Sequence, residues 1–297
     1  MTGTAANTVG IVGAGNMGGG MAANLLDKGW AVQVCDIDGA RVKALQARGA
    51  LACARPVDAA ADSAVLIVCV VDAAQSADVL FGADGAVAGM QAGGTVVLCP
   101  TISPQDVESL AARLSASGIR TVDAPMSGGP ARARDGSMSL MVACADDVFA
   151  QQEALLSALS SKLFRVGTRP GDGARTKLVN NLLAGINLAG AAEALAMAEA
   201  MGLDPGLTLS VIEQSSGQSW IGSDRMRRAM AGDYAPRAHV TLLEKDTRLA
   251  VQAAAAAGFA GPLGAHAARV FVQAHEAGLA GEDDAALFKL LRKPPAG

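Results

Sequence analysis

One lysine and two adjacent asparagines near the start of a long apolar stretch could take part in proton transfer. In "GDGARTKLVNNLLAGINLAG" (171–190), Lys177 precedes Asn180 by three residues and Asn181 by four, so Lys177 and Asn181 share one face of a helix. A partly desolvated lysine loses its proton more easily than one in water, and an asparagine can donate to a substrate hydroxyl or orient the ammonium. The structural alternative, a lysine that reaches solvent and asparagines that bind a neighbouring helix, is equally consistent with these residues alone.

A turn at residues 127–129 is a second candidate. "VDAPMSGGP" places Ser127, Gly128 and Gly129 directly after a proline-containing segment. Successive N–H groups in a Ser-Gly-Gly turn can cradle a carboxylate, and the serine adds a hydroxyl. A strand-to-loop turn without a ligand is the commoner meaning of such residues, so the motif alone leaves both interpretations open.

The pattern G-x-G-x-x-G is present as Gly13, Gly15 and Gly18, after an apolar run and at the opening of a helical segment. The first glycine permits a tight turn, the second lets a pyrophosphate approach the backbone, and the third lets helix and strand pack closely. The N-terminus of the helix offers N–H groups to the phosphates. The predicted nucleotide contacts in this turn are Gly13, Ala14, Gly15, Asn16, Met17 and Gly18.

An acidic residue stands where a nucleotide-binding fold needs one. Asp36 ends the second apolar run, 23 residues after Gly13, which suits the carboxylate that binds the adenosine ribose hydroxyls. No arginine stands at position 37 or 38, and Asp38 adds a second negative charge that would repel a 2'-phosphate. The sequence therefore predicts NAD rather than NADP, with Val70, at the end of the third apolar run, as another cofactor contact. The structural alternative for Asp36 is an acidic turn.

Alternating elements position these residues. Continuous apolar runs predict strands buried on both faces at 8–12, 31–35, 64–70 and 95–99, with further candidates at 139–144 and 162–167. Segments of helical composition lie at 17–28, 39–48, 73–81 and 104–117. This alternation implies right-handed β-α-β units in a doubly wound sheet. With the glycine motif, it predicts an α/β Rossmann-type N-terminal domain over residues 1–168.

The rest of the chain is predicted to be helical. The turn-rich "GTRPGDG" marks a domain boundary, and a helix of about 42 Å follows over residues 174–201, ended by Gly202. Its polar residues, Lys177 among them, interrupt it too often for a membrane span and favour a connecting core helix. Further helices are predicted at 205–215, 219–231, 238–257, 261–277 and 283–292. We expect an all-α C-terminal domain over residues 169–297.

Composition limits the classes of function. A net charge of -4 without a basic cluster argues against nucleic acid as a partner. The first residues lack the features of a secretory signal, which predicts a cytoplasmic protein. Five cysteines without C-x-x-C spacing favour reduced thiols and no metal site. All three histidines lie in the last sixty residues, so the N-terminal half would have to work without one.

Together these stretches resemble the β-hydroxyacid dehydrogenase family, which includes 3-hydroxyisobutyrate dehydrogenases. The resemblance covers nearly the whole chain and is carried by four motifs in order, "GAGNMGGGMAANL" (13–25), "DAPMSGG" (123–129), "GDGARTKLVNN" (171–181) and "EKD" (244–246). It implies that Lys177 is catalytic and that Asn181 binds substrate. It also implies substrate binding by Ser127, Gly128 and Gly129, and cofactor contacts from Thr101 and Lys245.

Within the family, "AAQSADVLFGADG" (73–85) and "SSGQSWIGSDR" (215–225) are most similar to a subgroup that oxidises L-threonate, a four-carbon sugar acid, at C2. Ser215, Ser216, Gln218 and Ser219 could supply polar contacts to such a substrate, although Gln218 replaces an expected asparagine. Rival hypotheses are a reductase of 3-hydroxyisobutyrate, tartronate semialdehyde or succinic semialdehyde type, and a non-catalytic NAD-binding oligomerisation module. The resemblance further implies a homodimer or homotetramer, whereas the polar residues of the long helix argue against a membrane partner.

Overall fold

A computed structural model describes residues 8–292 of the chain. These residues form two compact units that divide between Lys177 and Leu178. The first unit is α/β and the second is helical, as the sequence predicts. All five cysteines are free thiols.

The first unit is built on one nine-stranded sheet with the order β3-β2-β1-β4-β5-β6-β8-β7, in which β9 also pairs with β8. From β1 to β6 neighbouring strands are parallel, whereas β8 runs antiparallel to both β6 and β7. The strands are β1 Thr8–Val12, β2 Ala31–Cys35, β3 Leu51–Ala52, β4 Val65–Val68, β5 Thr95–Leu98, β6 Arg120–Asp123, β7 Met126–Ser127, β8 Met138–Ala143 and β9 Ser160–Gly167.

Helices cover both faces of this sheet. They are α1 Asn16–Asp27, α2 Gly39–Gln46, α3 Pro56–Ala61, α4 Ala73–Phe81, α5 Pro104–Ala116, α6 Gly129–Asp135 and α7 Asp146–Leu159, with a 3-10 turn at Ala86–Gly89. Successive residues of β4 point to opposite faces, so Ile67 packs in one hydrophobic cluster while Leu66 and Val68 pack in the other. This two-sided burial explains why the central strands are continuous apolar runs.

The predicted strands at 8–12, 31–35, 64–70, 95–99, 139–144 and 162–167 are all present, with bounds that differ by up to two residues. Six elements were not predicted from the sequence: the strands β3, β6 and β7, and the helices α3, α6 and α7. Gly129 is one reason, because it was interpreted as part of a turn and in fact begins α6, with Pro130 next to it in the first helical turn.

The described residues of the second unit form helices and the loops between them, with one isolated β-bridge between His239 and Asp283. Its first helix is α8, Asp172–Ala200, which begins in the first unit. The others are α9 Pro205–Glu213, α10 Trp220–Met230, α11 Val240–Ala256, α12 Pro262–Ala274 and α13 Leu287–Leu291. Two predicted helices differ from the structure at one end. The helix predicted at 261–277 passes into a π-helical turn at His275–Leu279. The helix predicted at 283–292 begins with a 3-10 turn at Asp284–Ala286.

By length and composition α8 could cross a membrane. However, its residues Leu188, Ala192 and Leu195 are buried together with Phe271 and Phe288 in the hydrophobic core of the second unit. A core helix passes the same composition test, and one face of α8 packs in this core.

Candidate functional site

The glycine turn between β1 and α1 has the geometry that each glycine was predicted to provide. Gly13 has φ +95°, a conformation that favours glycine. A Cβ on Gly18 would lie 1.8 Å from the Gly13 carbonyl oxygen, so only glycine lets the helix approach the turn this closely. A Cβ on Gly15, in contrast, would meet only the Arg41 Nη1 at 3.6 Å. Gly15 therefore leaves its backbone open to a ligand, and the turn fits a dinucleotide.

Asp36 directly follows β2 and its carboxylate is held by two backbone donors. The N–H of Ala14, inside the glycine turn, donates to Oδ2 at 2.5 Å, and the N–H of Asp38 donates to Oδ1 at 2.7 Å. Asp36 therefore links the end of β2 to the glycine turn. Each oxygen keeps a further lone pair that could accept a ribose hydroxyl.

Asp38 has a structural role that the sequence analysis did not include. Its side chain caps α2 by accepting from the N–H of Ala40 at 2.9 Å, and it pairs with Arg41 Nε at 3.2 Å. The charge that was expected to repel a 2'-phosphate is thus partly balanced by Arg41. Discrimination between NAD and NADP is therefore expected to rest more on Asp36 than on Asp38.

The other predicted cofactor and substrate residues of the first unit follow neighbouring strands. Val70 follows β4, Thr101 follows β5, and Ser127 follows β6 by way of β7. Because β1, β4, β5 and β6 are parallel, the loops after them lie at the same edge of the sheet as the glycine turn. Val70 comes closest to that turn, with Cγ1 3.3 Å from the position of a Cβ on Gly13.

The Ser127–Gly129 turn also depends on glycine. Gly128 has φ +135° and Gly129 has φ +75°, both in the region that side chains rarely adopt. A Cβ on Gly128 would lie 2.8 Å from the Cδ of Arg132, whereas a Cβ on Gly129 would meet nothing within 4 Å. The backbone at Gly129 is thus open to a small ligand, which is what a carboxylate cradle requires.

Lys177 lies in the second turn of α8 and is buried, with 8% of its surface exposed. Asn181, one turn later on the same helical face, is buried to a similar extent. The structural alternative of a lysine that reaches solvent is therefore not what the structure shows.

Asn181 is fixed by a chain of polar contacts within the second unit. Its Nδ2 donates to Asp246 Oδ2 at 2.6 Å, and its Oδ1 accepts from Asn180 Nδ2 at 3.0 Å. Lys245 Nζ donates to the other oxygen of Asp246 at 2.8 Å. Asp246 thus joins Asn181 to Lys245, two predicted site residues from separate helices. Asn180 is exposed and supports Asn181.

Asp123 is a buried acid that the sequence analysis did not identify as a site residue, although it opens the "DAPMSGG" motif. Its Oδ2 accepts from the N–H groups of Gly171 at 2.8 Å and Ala174 at 3.1 Å, at the start of α8. Burial raises the pKa of this carboxyl to about 6, against the lowering effect of the N–H donors of Ala174, Gly171 and Gly173. Asp123 therefore connects β6 to the helix that carries Lys177.

The polar residues proposed for substrate specificity are less well defined. Ser219 caps α10 by accepting from the N–H of Gly222 at 3.1 Å, so its hydroxyl is engaged within the fold. Ser215, Ser216 and Gln218 are exposed. Within residues 8–292, no group of three or more His, Cys, Asp or Glu side chains is arranged to hold a metal ion.

Comparisons with known proteins agree with this arrangement. Residues 8–167 match the family described as the NAD binding domain of 6-phosphogluconate dehydrogenase. Residues 171–291 match a second family, described as "NAD-binding of NADP-dependent 3-hydroxyisobutyrate dehydrogenase". L-threonate dehydrogenase of Cupriavidus necator is 38% identical over 282 residues, which cover 95% of each chain.

Solved structures show the same similarity. A crystal structure of 3-hydroxyisobutyrate dehydrogenase from Salmonella typhimurium has a TM-score of 0.90 at 36% identity and covers 95% of this chain and 99% of that one. The structure of Psf3 in complex with NADP+ and 2-OPP has a TM-score of 0.87 at 26% identity, over 95% of this chain and 99% of that one. The chain belongs to the β-hydroxyacid dehydrogenase family related to 3-hydroxyisobutyrate dehydrogenase, and it is an NAD-dependent dehydrogenase of hydroxy acids.

Proposed function

We propose that this enzyme oxidises L-threonate at C2 to its 2-oxo acid, with Lys177 as the general base. The observation that carries the proposal is the burial of Lys177 on the helical face that also holds Asn181. The similarity to L-threonate dehydrogenases over nearly the whole chain supports the choice of substrate.

In this proposal each residue has one task. The glycine turn (13–18) and Asp36 would hold NAD, which would supply the acceptor for the hydride of C2. The uncharged Lys177 Nζ accepts the proton of the C2 hydroxyl, and the electron pair of the broken O–H bond forms the carbonyl. Asn181 donates a hydrogen bond to the same oxygen, and the N–H groups of the Ser127–Gly129 turn hold the substrate carboxylate. In the reverse direction the Lys177 ammonium returns the proton.

Substitution of Lys177 tests the mechanism. Lys177→Met keeps the aliphatic chain and removes the amine, so turnover should fall by about two to four orders of magnitude. Binding of NAD, followed by quenching of the tryptophan fluorescence, should remain within about twofold of wild type. Lys162→Ala, an exposed lysine on β9, is the matched control and should keep full activity. Full activity in Lys177→Met would contradict the mechanism.

A second candidate function is the reduction of a semialdehyde to a hydroxy acid. It is favoured by the high structural similarity to a protein identified as 3-hydroxyisobutyrate dehydrogenase. The two candidates are distinguished by a panel of C3 to C5 hydroxy acids and semialdehydes, each assayed with NAD and NADP through the absorbance of the reduced cofactor. The proposed function predicts the highest kcat/KM for L-threonate with NAD. A higher value for 3-hydroxyisobutyrate or a semialdehyde would contradict it, and no turnover with any compound would support a non-catalytic module.

A further inference from the structure

We propose that Asp123 is a positioning residue for the hydride-transfer reaction, because its buried carboxylate fixes the first turn of α8 and thereby the backbone that carries Lys177. The inference rests on the proposed role of Lys177. Asp123 is not expected to contact substrate or cofactor. We expect it to affect the reaction rate through the placement of Lys177.

The carboxylate of Asp123 is buried and bonded to the start of α8. Asp123 ends β6 and has only 1% of its surface exposed. Its Oδ2 accepts from the N–H groups of Gly171 and Ala174, two donors on either side of the first residues of α8. N–H groups at the start of a helix have no partner within the helix, and a carboxylate stabilises the positive end of the helix dipole. Here that carboxylate comes from a strand 48 residues earlier than Gly171.

Close packing makes this attachment specific. A Cβ on Gly173 would lie 2.8 Å from the Asp123 Cγ and 2.8 Å from the Met141 carbonyl oxygen. The first turn of α8 therefore lies directly against β6 and β8, with no room for a side chain between them. A shift of this turn would have to move the strand ends as well.

Asp123 lies close in the chain to one proposed site residue, and its bonding partners lie close to another. Lys177 follows Ala174 by three residues, which is less than one helical turn. On the other side, Ser127 follows Asp123 by four residues through "APM". One carboxylate therefore ties the turn proposed to hold the substrate to the helix that carries the proposed base. Displacement of a reacting group by about 1 Å can lower the rate about a hundredfold. A fixed position of Lys177 relative to the Ser127–Gly129 turn therefore matters for the rate.

The titration of Asp123 provides a way to observe this role. Its pKa is raised to about 6, first by burial and also by Asp172 on α8, while the backbone donors lower it. Burial and, to a smaller extent, the charge of Asp123 raise the pKa of the thiols of Cys99 after β5 and Cys144 after β8. Below pH 6 the group becomes a neutral acid, which accepts hydrogen bonds more weakly.

Because the pKa of Asp123 is raised, a loss of activity on protonation can be distinguished from a loss of folding stability. Because the pKa in the folded chain is above the ordinary value of 3.8, the folded state holds the proton more tightly than the unfolded state. Protonation of Asp123 therefore does not favour unfolding, and its contribution to stability falls as the pH rises from 3.8 to about 6. A loss of activity near pH 6 without a loss of stability would thus report on the placement of Lys177.

The test uses the reductive direction, with NADH and the 2-oxo acid, in which Lys177 must be protonated and does not itself limit the rate in acid. For the wild type we expect kcat to fall below about pH 6. Asp123→Asn should lower kcat by about tenfold at pH 7.5, leave the KM for NADH within about twofold, and show no fall near pH 6. Asp204→Asn removes the carboxylate cap of α9 and is the matched control, which should keep the wild-type pH profile.

Amide hydrogen exchange supplies a readout independent of turnover. After correction for intrinsic rates, protection of residues 171–177 in the wild type should decrease with a midpoint near pH 6, and this step should be absent from Asp123→Asn. The inference would be overturned if Asp123→Asn had the kcat and the exchange profile of the wild type. It would also be overturned if the decrease in protection near pH 6 persisted in Asp123→Asn. If Lys177→Met is fully active, the proposed function fails instead, whereas the exchange result still shows whether Asp123 holds α8.

Discussion

At the scale of single residues, Asp36 is the position from which cofactor choice is best predicted. Its carboxylate lies beside the glycine turn and is anchored by the N–H groups of Ala14 and Asp38. A 2'-phosphate in the place of the ribose hydroxyl would meet this negative charge, whereas a hydroxyl could donate to it. Asp38 is paired with Arg41 and contributes less to the repulsion.

Asp36→Ala should therefore weaken NAD binding by about ten- to a hundredfold and narrow the preference for NAD over NADP, because two hydrogen bonds to a charged acceptor are lost. Titration of each cofactor, followed by protein fluorescence, measures both effects. Asp62→Ala, at the exposed end of α3, serves as the control and should leave both affinities unchanged. An unaltered ratio of the two affinities in Asp36→Ala would show that this residue does not set the preference.

Individual site residues differed in how far the sequence could predict them. In the glycine turn, Gly13 and Gly18 were predictable because each meets a local steric demand, a positive φ at Gly13 and a close approach of helix to turn at Gly18. Asp246 could not be placed in the same way, since it is 65 residues from Asn181 and only the packing of α11 against α8 brings the two side chains together. Asp123 was missed for the same reason, because its partners begin 48 residues later.

At the scale of elements, a Gly→Ala substitution can be compared between a closely packed position in α1 and an open position in α8. A Cβ on Gly18 would lie 1.8 Å from the carbonyl oxygen of Gly13, whereas a Cβ on Gly190 would meet nothing within 4 Å. Gly18→Ala should lower the free energy of unfolding by about 1–3 kcal/mol and abolish NAD binding. Gly190→Ala should instead raise that free energy by about 0.5–1 kcal/mol and leave NAD binding intact. Denaturant titration and cofactor titration of both variants check the pair.

Elements were predictable where the hydrophobic pattern extends over enough residues. The strand β4 is apolar throughout, and α8 lacks any proline, so both could be recognised. By contrast β3 and β7 are two residues long, and β6 is the mixed sequence "RTVD". Such short or mixed strands are held by pairing with neighbours, which the local sequence does not record.

At the scale of the whole molecule, cofactor binding should stabilise the folded chain. At a free NAD concentration of about 100 times Kd, a ligand that binds only the folded state adds about 2.7 kcal/mol to its stability. Amide exchange should then slow at the carboxyl ends of β1, β2 and β4, where the glycine turn, Asp36 and Val70 lie. Gly18→Ala should show no such change. Slower exchange confined to residues 205–291 would contradict the proposed cofactor site.

The overall architecture was the most predictable feature of the molecule. Alternating apolar and helical segments implied the doubly wound sheet, and the end of the β-type runs after Gly167 agrees with the last strand of the sheet. The antiparallel pairing of β8 with β6 was not predicted, because a buried apolar strand does not reveal the direction of its neighbour. The extent of the two domains, predicted as 1–168 and 169–297, remains a prediction.

The contacts of Asn181 have a consequence for reversibility. Asp246 accepts from the amide nitrogen, and Asn180 donates to the amide oxygen, so rotation of the amide by half a turn would break both bonds. The amide thus keeps one free N–H and presents a donor to any ligand beside it. An alcohol oxygen and a ketone oxygen can both accept that hydrogen. The same fixed orientation would therefore serve oxidation and reduction alike, without a rearrangement of the amide between them.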